Sequence, residues 1–251
     1  MSTRPLHPST APTANFHAPR WSIVLAAAND PAGTRSRRAL EELARIYWFP
    51  LYAFIRRQGH DANQSQDLTQ EFLTRLLEKN YLARVDQSKG QFRSFLLAAV
   101  KHFLANEWDK SHTLKRGGGG TRGGATIPLD ALDAEARYAI EPADTLTPER
   151  LYERRWALAL LIQVLTRLQQ EYAAKGQDPL FETLKQTLTA GRDAAPHAQL
   201  ARDLSLTPGA VKVATHRLRR RYRELLREET AQTVATPDLI AEEITYLLKC
   251  L

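Results

Sequence analysis

The chain has 251 residues, with 35 lysines and arginines against 28 acids (net +7) and 43% hydrophobic side chains. That is enough to build one large or two small domains with real cores, and it excludes a chain too polar to fold. Cys250 is the only cysteine, which excludes an internal disulfide framework and a thiolate zinc site. No secretory h-region stands in residues 1–20, and apolar runs such as 156–162 are too short to cross a bilayer, so a soluble cytoplasmic protein without a membrane partner is expected.

In chain order, residues 1–19 carry four prolines and little to bury, and read as a disordered tail. Helical periodicity then runs from Trp21 to about Lys110, with breaks at Asp30-Pro31-Ala32-Gly33, Gly59-His60-Asp61 and Lys89-Gly90. The spacing predicts helices over 21–29, 35–58, 62–79 and 91–110. A glycine-rich stretch over 111–126, including Gly117–Gly120, cannot sustain a helix. Residues 128–149 follow with six acids against Arg137 alone. Thr147-Pro148 is a helix start, with threonine as cap and proline in the first turn. Helices are expected over 148–173, 178–189 and 196–228, and a short amphipathic one over 237–249. Nothing alternates with period two for long enough to demand a strand. The expected architecture is all-α: two small helical domains, 20–110 and 148–228, joined by a flexible Gly-rich and acidic linker over 111–147. Residues 229–251 form a C-terminal helical extension that either merely packs or covers a functional face.

The sharpest local pattern runs from Gln199 to Lys212. A short helix ends near Leu204, a tight turn passes through Ser205 and Leu206, and Thr207-Pro208 opens a second helix. Ser205 stands where such turns often use glycine. Leu200, Leu206 and Val211 are expected to form a small core, with Ala201 permitting close approach. At 100° per residue, Val211, Ala214, Leu218, Tyr222 and Leu225 fall within about 80° of arc. Lys212, His216, Arg219 and Arg223 cluster beside them, and residues 212–227 hold seven lysines and arginines against Glu224 alone. A helix apolar on one side and arginine-rich on the other suits a DNA major groove, and a solvated basic helix is the plainer alternative.

In the first half, Leu68, Phe72 and Leu76 make one face of a helix, and Asp67, Gln70, Glu71, Thr74 and Glu78 make the other. That acidic face is either solvated or a docking surface. The helix after it carries Lys101, His102, Asn106 and Trp108 towards a basic end at Lys110, Lys115 and Arg116. Basic groups mixed with amide and aromatic side chains suit contact with unstacked bases, although Trp108 could equally be core.

The run Asp67-Leu68-Thr69-Gln70-Glu71-Phe72, followed by Phe92-Arg93-Ser94-Phe95-Leu96 and the helix to Lys110, resembles region 2 of extracytoplasmic-function sigma factors. Leu200 to Leu226 resembles their region 4, and with the linker the resemblance covers about 35–228. It implies that the chain directs RNA polymerase to promoters. Asp67, Gln70 and Glu71 would then contact the β′ clamp of core RNA polymerase, with the β flap as a further contact. Lys101, His102, Asn106, Lys110, Lys115 and Arg116 would face the −10 element. Lys212, Thr215, His216, Arg219, Arg220 and Arg223 would face the −35 duplex. The acidic linker would follow the RNA path, and an anti-sigma factor is a candidate partner. The sequence departs from the family pattern at His102 and Asn106, in the longer 156–196 stretch and in the 229–251 extension.

No catalytic residues can be assigned. Gly118-x-Gly120-x-x-Gly123 lacks a preceding strand and a following helix start, no phosphate-loop lysine follows, and the seven histidines are scattered. An enzyme, a cofactor and a metal site are therefore not expected. An autonomous helix-turn-helix regulator, with an N-terminal dimerisation or ligand domain, is the alternative to the sigma-factor reading. A helical adaptor that binds only protein is the third.

Overall fold

The computed structural model describes residues 34–78, 91–114, 131–140, 146–189 and 197–251. The expected tail over 1–19, the helix over 21–29, the glycine-rich stretch beyond Leu114 and the candidate residues Lys115 and Arg116 lie outside the described residues. The first four positions of that stretch, 111–114, are helical, against the expectation that the linker begins at 111. Among the described residues every regular element is helical, and no strand is present.

The first helix, α1 (Thr34–Arg57), ends at Gly59, whose φ of 98° is a backbone conformation that L side chains rarely adopt. Asp61 Oδ1 accepts from Gln64 N at 2.8 Å and opens α2 (Ala62–Glu78). Next come α3 (Phe92–Leu114) and α4 (Ala131–Ala139). The α4 helix was not expected, because it falls within the stretch read as linker. Its Ala134 is buried, and Arg56 Nη2 donates to Glu135 Oε1 at 2.6 Å while the Tyr52 hydroxyl donates to Glu135 Oε2. Those bonds to Arg56, outweighing the cost of burial, hold the Glu135 carboxyl below the usual range.

Helix α5 (Pro148–Ala173) starts where the sequence pattern places it: Thr147 Oγ1 accepts from Arg150 N, with Pro148 in the first turn. After it come α6 (Asp178–Leu184), α7 (Gln186–Thr189), α8 (His197–Asp203) and α9 (Pro208–Ala231). A 3₁₀ turn over Pro237–Leu239 leads into α10 (Ile240–Lys249).

Helix α5 joins the two expected halves. Near its N-terminus Trp156 stacks on Tyr47 of α1, ring centroids 4.1 Å apart, and Tyr152 meets Phe54 edge-on. Towards its C-terminus Glu171 takes a bidentate pair from Arg221 of α9, at 2.7 and 2.8 Å. Buried side chains of α1, α3, α5 and α9 belong to one continuous cluster. The boundary expected at residue 148 thus falls at the start of a helix that packs on both sides.

The C-terminal extension packs. Glu243 is fully buried and accepts from Arg93 Nε of α3 at 2.8 Å, while Arg93 also reaches Glu153 and lies 4.0 Å from the Tyr246 ring centroid. Phe92 N donates to Thr233 O at 2.9 Å. Burial, and then the bond to Glu153, push the Tyr246 hydroxyl up to about 12. No helix among the described residues is long and apolar enough to cross a membrane.

Candidate nucleic-acid interface

The α8–α9 unit is built by two local devices. At the end of α8, Ser205 N donates to Arg202 O at 3.1 Å and Leu206 N donates to Ala201 O at 2.9 Å. This paired closure satisfies carbonyls that the helix end would leave bare, and it needs a left-handed residue between them. Ser205 fills that place with φ 53°, at a cost of roughly 1–2 kcal/mol relative to a residue without a Cβ. Two residues later Thr207 adopts an extended backbone, and its Oγ1 accepts from Ala210 N at 3.2 Å. Pro208 sits in the first turn, where its missing N–H costs nothing.

Packing fixes the rotation of α9. Val211, Thr215, Leu218, Leu225 and Leu226 are buried, and Leu200 and Ala201 of α8 close over this face. Two expectations are corrected here. Leu206 is not part of the small core: it is 42% exposed, and Leu204 packs there instead. The left-handed turn at Ser205 redirects the chain, so the side chain that follows it points outward. Thr215 does not lie on the basic face: it is 3% exposed, its hydroxyl without a hydrogen-bond partner. It lies four residues after Val211 and three before Leu218, on the same side of the helix.

The remaining candidates on α9 are exposed: Lys212, His216, Arg219, Arg220 and Arg223, together with Arg217 and Arg227, which the sequence pattern did not single out. Their engagement differs. Arg219 donates from Nε and Nη2 to the Thr187 carbonyl at 3.1 and 2.7 Å, which ties α9 to α7. Arg220 pairs with Glu224 at 2.9 Å but keeps its side chain 73% exposed. Arg221 is drawn inward by Glu171, Glu224 and Glu228. Side chains of Lys212, His216 and Arg223 make no ion pair or hydrogen bond among the described residues.

In the first half, Asp67 is exposed, whereas Gln70 and Glu71 are half-buried. Glu71 pairs with Arg75, which also reaches Glu107 at 2.5 Å, and Glu107 accepts from Lys110 at 2.7 Å. These bonds from Lys110 and Arg75 overcome burial and hold the Glu107 carboxyl below its usual range. Lys101 pairs with Glu149 at 2.7 Å. Asp67, Lys101 and Trp108 line one open groove of about 840 Å³ between α2, α3 and the C-terminal end of α1. His102 and Asn106 are exposed but do not line it. Trp108 is 62% exposed, so of the two readings left open for it the core one is excluded.

Among the described residues no group of three or more histidine, cysteine or acidic side chains is placed to hold a metal ion. No protein-family model, curated protein or solved structure matches the chain.

Proposed function

We propose that this protein is a promoter-recognition factor of the sigma type, with α8 and α9 acting as a helix-turn-helix on duplex DNA. The observation that carries the reading is the rotation of α9. Its apolar stripe is spent on α8 and the core, which leaves Lys212, His216, Arg220 and Arg223 facing outward. A rigidly capped helix with a cationic outer face provides what major-groove docking requires: phosphate contacts for position and base-edge contacts for sequence. Asp67, with Gln70 and Glu71 beside it, supplies the surface for core RNA polymerase. His102, Asn106, Lys110 and the groove carrying Lys101 and Trp108 supply the surface for the melted −10 strand. Polymerase performs the chemistry, so the factor needs no cofactor of its own.

Run-off transcription with purified bacterial core polymerase tests this reading. Specific transcripts that depend on the chain are expected, and their loss in Asp67→Lys with retained helical content would assign Asp67 to the polymerase contact. No chain-dependent transcript from any template of a promoter library would overturn it.

One observation favours a second reading, an autonomous DNA-binding regulator. Helix α5 packs on both α1 and α9, so the first half can brace the DNA-binding unit directly. Tight, salt-sensitive binding to a specific duplex without polymerase would select it.

A further inference from the structure

We infer that Val213 is a specificity-determining residue of the α9 face, reading the 5-methyl group of a thymine in the major groove. The inference rests on the reading of α9 as a DNA-contacting helix and goes beyond it by assigning one side chain to one chemical group.

Three observations converge on Val213. First, it occupies the centre of the outer face. With Val211, Thr215 and Leu218 buried, the 100° step of the helix points Gly209, Val213 and Arg220 directly away from the core. Second, Val213 is 50% exposed, the only large apolar side chain exposed on α9, and the face continues through His216, Arg217 and Arg220. Packing does not explain a valine there. Helix propensity does not either, because a β-branched residue on an exposed helix surface is less favourable than alanine or lysine.

Third, the surface beside Val213 is bare. A helical side chain leans over the turn preceding its own Cα, which for Val213 is the turn holding Gly209. Gly209 has an ordinary helical φ, and a methyl group placed there would touch nothing but the Thr207 hydroxyl, at 4.0 Å. The fold itself therefore makes no demand for glycine at 209. What its absent side chain provides is a low apolar patch, two methyl groups beside naked backbone, at the end of the helix that enters a groove. Among the groups that base pairs present in the major groove, the apolar one is the thymine methyl. The ring of cations can hold phosphates and guanine edges, while Val213 selects the position where a methyl group must be. Arg219, held by Thr187, is correspondingly a positioning residue for α9.

The test begins by enriching duplexes from a randomised library with the full-length chain, in the presence and absence of core polymerase. The enriched duplex is the probe. The expected site holds a thymine at which deoxyuridine, which lacks only the methyl group, weakens wild-type binding about fourfold. Val213→Ala should lose the same factor on the thymine duplex and nothing further on the deoxyuridine duplex. Placing 5-methylcytosine paired with guanine at that position separates methyl recognition from recognition of the whole thymine: retained affinity supports the methyl contact. An enriched duplex whose thymines can all be replaced without effect overturns this inference alone, as does a Val213→Ala loss equal on both duplexes. If no duplex is enriched under either condition, the DNA reading of α9 falls and this inference with it. The deoxyuridine comparison is made on the unmodified protein, so it does not depend on how any variant folds.

Discussion

The two charged surfaces of this protein differ in how much of their charge is already spent. On α2 and α3, Glu71, Arg75, Glu107 and Lys110 form one chain of ion pairs, and Asp67 is the exposed acid of the expected face among the described side chains. On α9, Arg221 and Arg219 are tied to the protein, while Lys212, His216 and Arg223 are not and Arg220 stays largely in solvent. Counting charges along a helix does not show which of them are already paired. Following their partners does: one surface is largely self-neutralised, and the other projects its charge outward, where a polyanion can release counterions on binding.

The strongest way to break this comparison is to loosen the packing of α5, the helix that the two regions share. Trp156→Ala should destabilise the protein by about 3–5 kcal/mol, and both regions should unfold in a single transition monitored by hydrogen exchange. Loss of protection in α1 and α3 while α9 keeps its own would mean that the regions are energetically separate. A somewhat smaller effect is expected at the second tie. Glu243→Ala leaves Arg93 buried among fewer partners and should cost about 3 kcal/mol in denaturant unfolding, whereas a loss below about 1 kcal/mol would show that water or Glu153 compensates.

Within α9 the contrast sharpens at neighbouring positions. Arg219→Ala should cost about 1 kcal/mol of stability and weaken every duplex by the same factor. A loss confined to one base pair would return Arg219 to the role of a base reader. Thr215→Val exchanges an unpaired buried hydroxyl for a methyl group, and should stabilise the fold by about 0.5–1 kcal/mol while leaving DNA affinity unchanged. A drop in affinity for that variant would mean that the helix turns on binding to expose this face.

Much of the fold was legible because helix ends carry local chemistry. Thr147-Pro148 and Thr207-Pro208 each combine a side-chain cap with a proline that belongs in a first turn, and both helices begin there. Helix α4 was missed because its surroundings read as acidic and glycine-rich. What holds it is Glu135 meeting Tyr52 and Arg56 of α1, and no local pattern reports a partner some eighty positions away. The bond between Arg93 and Glu243 spans 150 positions and was invisible for the same reason. Thr215 is a different case. Its place beside Val211 on the helical wheel can be read from the sequence, but its assignment to the −35 face comes from the resemblance alone, which does not report burial. Val213 lies outside the apolar stripe that the wheel predicts, yet its exposure becomes a specific observation only once burial is known.

The account rests on the outer face of α9 meeting duplex DNA, and the salt dependence of binding addresses that most directly. Affinity of the full chain for its enriched duplex, measured with core polymerase present across a salt series, should fall steeply. The variant with Lys212, Arg220 and Arg223 all changed to alanine should show a log–log slope shallower by about three. Equal slopes for the two proteins would contradict the account.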